Sequence, residues 1–270
     1  MLRVYPEPVS DGPELVHLDV DGYVATITLD SPKNRNALSR QLVTELSAHL
    51  GAADSAPGVR VIVLTHTGGT FCAGADLVEA VDDGMARGTR ALLELLRTVV
   101  ALSSPVVGLV RGHVRAGGIG LVGACDLALA SEESTFGFAE VRLGLTPAVI
   151  SLTTRSRLTD RDASRLYLTG EVFDGAAAAT YGLVNGSVPD RELDAALSDL
   201  LLAFEQVSPQ GLRETKTLLN ALLLARLTAD GEGLVELSSR LFASDEAREG
   251  MRAFRERRRP DWNSSSRSDR

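Results

Sequence analysis

The amino-acid sequence predicts an α/β fold followed by a C-terminal region that is mostly helical. In the first half of the chain, short apolar runs typical of buried strands alternate with amphipathic patterns typical of helices, which favours a sheet covered by helices. In the second half, helical patterns follow one another almost without strands. The 270 residues are 44% hydrophobic and 24% charged, the balance of a globular protein with one large domain or two small ones.

The N-terminal part begins with a predicted β-hairpin. Residues 15–20 and 23–29 alternate apolar and polar side chains around Asp21-Gly22, a pair typical of two-residue hairpin turns. Residues 36–50 predict an amphipathic helix, because leucines recur along one face at Leu38, Leu42, Leu46 and Leu50. Residues 59–65, rich in valine and isoleucine, then predict a buried strand.

Glycine-rich and apolar segments continue this alternation. A glycine-rich loop is predicted at 68–74 and a helix near 89–102. Two further buried strands are predicted at 105–110 and 126–130.

Helical patterns dominate the rest of the chain, at 161–169, 175–181, 191–207, 211–227 and 245–258. We therefore expect a core at residues 1–200 and a C-terminal helical region at 201–259. Residues 260–270 contain Pro260 and a serine run, which predicts a disordered tail.

Charge and cysteine content exclude several classes of function. The chain carries 36 acidic and 28 basic residues, a net charge of −8, which argues against nucleic acid as a partner. Two cysteines cannot form a disulfide framework, and no cysteine–histidine spacing indicates zinc. No apolar run approaches the roughly 18 residues of a membrane span, and no signal peptide is recognisable. We expect a cytoplasmic protein with no membrane partner.

One glycine pattern suggests a dinucleotide site. Residues 118–123 fit the G-x-G-x-x-G fingerprint, and Glu140 lies about 20 residues further on, where that fingerprint has an acid. The context does not fit, because residues 111–117 separate the pattern from the strand predicted to end at Val110. The next predicted strand also begins too soon for a full crossover helix. A nicotinamide-dependent oxidoreductase is therefore the weakest alternative.

Two glycine clusters, at 71–76 and 116–120, indicate a different kind of site. Glycines let a backbone approach a ligand closely with its N–H groups exposed, and the start of a helix adds unpaired donors. Two such N–H groups aimed at one point would stabilise an enolate or another oxyanion. Tight turns and close helix packing would explain the same glycines without a ligand.

A series of motifs in order resembles the crotonase superfamily, the enoyl-CoA hydratases and isomerases. The motifs are Phe-Cys-Ala-Gly-Ala-Asp-Leu at 71–77, Ser-Pro-Val-Val at 104–107, Ala-Gly-Gly at 116–118, Cys-Asp at 125–126, Phe-Gly-Phe-Ala-Glu-Val-Arg-Leu-Gly at 136–144, Leu-Thr-Gly-Glu at 168–171 and Gly-Leu-Val-Asn at 182–185. The resemblance reaches Glu-Gly-Met at 249–251, so it covers nearly the whole chain. Residues 145–151 stand where the superfamily usually has a glycine-rich stretch, and this replacement resembles one branch of the superfamily.

The resemblance implies a fold, an assembly and a set of binding residues. The core would be a spiral of ββα-type turns, and the C-terminal helices would form a homotrimer or a hexamer. The N–H groups of Ala75 and Gly117 would form the oxyanion hole for a thioester carbonyl. Lys33 or Arg35 would lie near the phosphates of CoA, unless both are merely exposed loop charges. The remaining substrate-binding residues would be Ala73, Asp76 and Leu77.

The catalytic carboxylates depart from the pattern that the resemblance implies. Family hydratases often use two glutamates; the second matches Glu140, whereas the first falls on Gly120, which has no side chain. A two-carboxylate hydratase shares two proton transfers between its acids. With Glu140 alone, the resemblance leaves three outcomes: hydration of a 2-enoyl-CoA, isomerisation between Δ3- and Δ2-enoyl-CoA, or acyl-CoA binding without catalysis.

We predict the hydratase. One base suffices for an isomerase, so chemistry alone favours that alternative. Residues 118–122 combined with 147–151 nevertheless resemble hydratases of branched or 3-substituted enoyl-CoA thioesters. The predicted enzyme acts in fatty acid and lipid metabolism on a CoA thioester and needs no metal and no bound cofactor.

Overall fold

The strands of the computed structural model, which describes residues 13–76, 79 and 85–262, form two sheets. The larger sheet has six strands, in the spatial order Val16–Asp21 (β1), Val24–Leu29 (β2), Val61–His66 (β3), Val106–Val110 (β5), Leu127–Ser131 (β7) and Gly186–Val188 (β10). The smaller sheet has the order Thr70–Cys72 (β4), His113–Arg115 (β6), Thr135–Gly137 (β8) and Val172–Asp174 (β9). The pairs β1–β2 and β8–β9 are antiparallel and the other pairs are parallel.

The sheets are accompanied by helices along the whole described chain. These are Arg40–Ser55 (α1), Met85–Ala101 (α2), Gly117–Ala124 (α3), Ser151–Thr154 (α4), Asp160–Thr169 (α5), Gly175–Tyr181 (α6), Leu193–Glu205 (α7), Pro209–Phe242 (α8) and Asp245–Arg255 (α9). Short 3-10 turns lie at Pro32–Asn34, Ala139–Leu143 and Asp190–Glu192. Mixed α/β structure with a helical C-terminal region is the predicted fold class, and it is confirmed.

The predicted hairpin and the three predicted buried strands are also confirmed. β1 and β2 pair from Val16 opposite Leu29 to Asp21 opposite Val24, and Gly22 takes the positive φ that the turn requires. The strands predicted at 59–65, 105–110 and 126–130 are β3, β5 and β7. All five residues of β5 are buried, as expected for a parallel strand covered on both faces.

Two helix predictions had incorrect bounds: the first helix is Arg40–Ser55 rather than 36–50, and a later helix is longer than predicted. The first helix begins at Arg40 rather than at residue 36, because the Ser39 side chain caps it and accepts the Leu42 N–H at 3.3 Å. The helix predicted to end at 227 continues to Phe242, so α8 has 34 residues.

A buried ion pair fastens α8 to the core. Lys216 is only 3% exposed, and its Nζ lies 2.9 Å from Oδ2 of Asp126. The same ammonium donates to the carbonyl oxygens of Val99 and Ser104 at 3.1 and 2.9 Å, so the buried charge is fully partnered. The proposed divisions at residues 200 and 259 stay predictions, and residues 263–270 of the predicted tail lie outside the described residues. Within the described ranges, no helix combines the length and apolar character that crossing a bilayer requires.

Candidate active site

A cavity of about 200 Å³ lies between α1, α2, the last turn of α8 and the segment from residue 140 to residue 150. The side chains that surround it are largely apolar, among them Leu38, Val43, Leu92, Leu145, Val149 and Phe242. Ala75, Gly117 and Glu140 border the same space. An apolar cavity with a few convergent polar groups is the usual form of a small-molecule site.

Two backbone segments meet at one wall of this cavity. The Leu38 N–H donates to the carbonyl of Gly74 at 2.8 Å, which fixes the chain just before Ala75. Gly74 has φ +90°, and a Cβ there would lie 2.8 Å from Cβ of Ala116 and 3.2 Å from the amide nitrogen of Gly117. Only glycine allows this approach, which brings the segments of Ala75 and Gly117 together.

The second segment has an unusual backbone conformation. Ala116 has φ 47° and ψ −120°, a left-handed conformation that costs an alanine about 1–3 kcal/mol. The strained residue immediately precedes α3, and Gly117 is the first residue of that helix. Its N–H therefore has no acceptor within the helix and can donate to a ligand.

One oxygen of the Glu140 carboxyl is buried without a polar partner. It belongs to the 3-10 turn Ala139–Leu143, and although the residue as a whole is half-buried, its Oε2 atom is inaccessible and has no hydrogen-bond partner among the described residues. Burial raises the pKa of this carboxyl to about 7. A carboxyl that titrates near neutral pH can both accept and donate a proton, as general acid–base catalysis requires.

The Gly120 position leaves no room for a side chain. A Cβ at Gly120 would lie 2.6 Å from Cγ2 and 2.9 Å from Cβ of Ile150. The Thr153 hydroxyl donates to the Gly120 carbonyl at 2.8 Å and holds this contact in place. An isoleucine therefore occupies the space beside α3 that a longer residue at position 120 would need.

Comparison with known proteins identifies the family. The sequence pattern of the family described as enoyl-CoA hydratase/isomerase matches residues 19–265. The chain belongs to this family. A protein of Thermus thermophilus that carries an enoyl-CoA hydratase name is 36% identical over 249 residues, 88% of this chain and 97% of its own length.

Two further relatives support membership of the enoyl-CoA hydratase/isomerase family. Mevalonyl-coenzyme A hydratase of Aspergillus fumigatus is 32% identical over 252 residues, 90% of this chain and 92% of that protein. The crystal structure of an enoyl-CoA hydratase from Mycobacterium avium is 49% identical and has a TM-score of 0.87, covering 93% of this chain and 100% of that one. The crotonase fold expected from the sequence motifs is thereby confirmed.

The structure brings together only part of the predicted site of this family member. Ala75, Asp76, Gly117 and Glu140 border one cavity, whereas Lys33, Arg35 and Ala73 are not among the residues that line it. The side chains of Lys33 and Arg35 are exposed, and the Arg35 carbonyl accepts the Ala73 N–H at 3.1 Å. Leu77 lies outside the described residues. The binding roles of these residues stay predictions.

Asp76, which borders the cavity, also makes structural hydrogen bonds. Its carboxylate accepts the Glu79 N–H at 3.4 Å and the Asn34 side-chain amide at 3.3 Å. Asp76 therefore has a structural role at the same place as its proposed binding role.

Sequence reasoning missed several residues of the cavity wall, four of which lie near helix ends. They are Arg40 at the start of α1, Arg87 near the start of α2, and Ser238 and Phe242 in the last turns of α8. Continuing the helical pattern beyond residue 227 would have revealed the last two. Nothing in the local sequence marks the two arginines as members of this wall.

The glycine run at 118–123 is part of a buried helix. The strand before it does end at Val110, as predicted, and a short strand that was not predicted, β6, lies between that strand and the run. However, all residues of α3 are buried; a Cβ at Gly118 would lie 2.6 Å from the Cys72 carbonyl oxygen, and one at Gly123 would lie 3.0 Å from that of Thr153. These glycines serve close packing rather than an exposed pyrophosphate loop.

Thiol and metal chemistry have no visible site in the part of the chain that the structure describes. Burial raises the pKa of the Cys72 and Cys125 thiols to about 12, so neither is a ready nucleophile. No group of three or more histidine, cysteine, aspartate or glutamate residues within the described ranges is arranged to hold a metal ion.

Proposed function

We propose that this member of the family is an enoyl-CoA hydratase that adds water to a 2-enoyl-CoA thioester. The observation that carries this proposal is the buried carboxyl of Glu140, whose Oε2 has no hydrogen-bond partner among the described residues and which borders the same cavity as Ala75 and Gly117. An acid–base group and two backbone donors around an apolar space are the parts that thioester enolate chemistry needs. The hydratase names of the relatives support the same reaction.

The proposed reaction uses Glu140 twice. The amides of Ala75 and Gly117 donate to the thioester oxygen. The Glu140 carboxylate removes a proton from water while the water oxygen bonds to C3, and the electron pair of the C2=C3 bond moves into the enolate. Glu140 then returns a proton to C2 as the carbonyl reforms. Water supplies every atom that is added, so the step needs neither an oxidant nor a metal.

Glu140 is proposed as the sole acid–base residue. The family resemblance implies a first glutamate at the position of Gly120, and the contact with Ile150 supports its replacement by apolar packing here. Each loss of a single oxyanion donor typically costs about 10²–10³ in kcat, so the two amides remain important when one carboxylate is missing.

The test is the Glu140→Gln variant. Hydration of crotonyl-CoA, followed at the enoyl thioester absorbance band, should be abolished because the amide cannot accept or donate the transferred proton. Calorimetric binding of a CoA thioester should persist. The Glu214→Gln variant, which changes an exposed glutamate on α8, should retain full turnover. Near-normal activity of Glu140→Gln would show that the assignment is wrong.

A Δ3,Δ2-enoyl-CoA isomerase is the second candidate, and the contact between Ile150 and Gly120 favours it. Moving a proton from C2 to C4 requires only one base, which Glu140 can provide. Offering crotonyl-CoA and a 3-enoyl-CoA in parallel, with product analysis, distinguishes the two reactions. Tight thioester binding without turnover of either substrate would indicate an acyl-CoA-binding protein.

We further propose that the protein is a homotrimer or a hexamer that acts in the cytoplasm, in fatty acid or lipid metabolism, without metal or bound cofactor. Three leucines on α8 support an association surface, since Leu218, Leu219 and Leu222 are all largely exposed. Lys33 and Arg35 are proposed to contact CoA phosphates. Analytical ultracentrifugation tests the assembly, and CoA binding by the Lys33→Ala and Arg35→Ala variants tests the phosphate contacts.

A further inference from the structure

Helix α9 lies directly against the turn that carries Glu140. A Cβ at Gly250 would lie 2.5 Å from the carbonyl carbon and 2.6 Å from the carbonyl oxygen of Leu143. From the other side, a Cβ at Gly144 would lie 2.7 Å from the carbonyl carbon of Glu246 and 2.8 Å from the nitrogen of Ala247. The two backbones therefore touch at two points, and no side chain separates them.

The helix that makes these contacts is joined to the chain that follows it by a buried carboxylate. Glu249 is 5% exposed, and its carboxylate pairs with Arg252 and with Arg258, whose Nη1 lies 2.6 Å from Oε1. The same carboxylate accepts the Asp261 N–H at 2.9 Å. These partners hold the pKa of Glu249 far below its usual range, so it stays ionised and keeps the end of α9 fixed to the chain that follows.

We propose, on the basis of the hydratase or isomerase role of Glu140, that α9 holds the Ala139–Leu143 turn against the cavity and that Gly250 is a positioning residue for the reaction. The Glu-Gly-Met motif at 249–251 then has a structural explanation. Gly250 allows the backbone contact with Leu143, and Glu249 joins α9 to the chain that follows it.

The position of the turn controls the surroundings of the Glu140 carboxyl. Other supports of the turn are the Leu145 N–H, which donates to the Glu140 carbonyl at 3.0 Å, and Arg142, which donates to the Thr169 carbonyl at 3.3 Å. Among ionisable groups on the packed elements, Tyr167 of α5 interacts electrostatically with Glu140. On α9, the Glu249 carboxylate is paired with Arg252 and Arg258. Displacing α9 would admit water to Glu140, because burial is what isolates its carboxyl.

The test compares two helical glycines. Gly250→Ala adds a methyl group against the Leu143 backbone, whereas Gly233→Ala adds one on α8 where nothing lies within 4 Å. The Glu140 pKa is measured by ¹³C NMR of carboxyl-labelled glutamate, with the signal assigned by its loss in Glu140→Gln. For Gly250→Ala we expect this pKa to fall from about 7 toward 4.5, with the acidic limb of the kcat/KM profile moving equally. Gly233→Ala should leave both unchanged.

If Gly250 had only a structural role, Gly250→Ala would lower the amount of folded protein. It would not change the Glu140 pKa measured by NMR or the acidic limb of the kcat/KM profile. An unchanged Glu140 pKa in folded Gly250→Ala overturns the inference. Should that variant not fold, Glu249→Gln replaces it, because it loosens α9 without adding atoms; we expect a smaller fall in the same direction, and no fall overturns the inference. If the wild type shows no Glu140-dependent turnover, the proposed function fails, while the NMR measurement still tests the contact.

Discussion

Replacing Glu140 with glutamine tests whether the buried carboxyl destabilises the fold at alkaline pH. The pKa of this group is about 7 in the folded protein, above the ordinary value of 4.5. The folded state therefore binds the proton more tightly than the unfolded state, and stability is lost as the pH rises through this window. The loss is absent well below 4.5 and complete above 7, where the difference between the two values corresponds to about 3 kcal/mol.

The measurement is urea unfolding of wild type and Glu140→Gln at pH 5 and at pH 8.5, at one protein concentration. Glutamine does not ionise, so the free-energy cost of burying it is the same at both pH values. We expect the free energy of unfolding of the variant minus that of wild type to be about 2–3 kcal/mol larger at pH 8.5 than at pH 5, because only the wild type is destabilised as Glu140 ionises. Glu214→Gln, at an exposed site, should show no such difference. An equal relative stability of Glu140→Gln at both pH values would refute the reasoning.

Two further substitutions test the walls of the cavity. Gly74→Ala should lower kcat by about 10²–10³, because φ +90° and the 2.8 Å approach to Ala116 cannot accommodate a methyl group without moving an amide donor. Steady-state kinetics against Gly69→Ala, which has open space, checks this, and equal activities would contradict it. Gly120→Ala should destabilise the fold by about 1–3 kcal/mol through its clash with Ile150, and Ile150→Ala should relieve that cost. Strictly additive costs in a double-mutant cycle measured by urea unfolding would rule out the contact.

Five of the six strands of the larger sheet were predicted from the sequence, whereas its short strand β10 and the strands of the smaller sheet were not. β3, β5 and β7 are continuous apolar runs, since both of their faces are covered. β4, β6, β8 and β9 have three residues each, too few for a periodic pattern. Their identity as strands depends on pairing partners elsewhere in the chain.

The full length of α8 was set by its neighbours. Glycines at 231 and 233 weaken the local helical pattern, which explains why the helix was predicted to end at 227. In the structure, Gly231 lets α8 approach α2 so closely that a Cβ there would lie 2.7 Å from Leu93 Cδ2. Arg90 and Glu232 form an ion pair across the same contact at 2.9 Å. Contacts with α2 therefore compensate for the weak helix propensity of this part of α8.

The sequence by itself determined the α/β class, the two glycine clusters and the position of Glu140, because the motifs around Ala75, Gly117 and Glu140 are local. Only the tertiary structure decided that Ile150 fills the space beside Gly120 and that α9 touches the turn of Glu140. It also decided the raised pKa of that carboxyl. Burial and steric exclusion depend on residues that are distant in the sequence but close in the fold. The local sequence around a residue does not identify them.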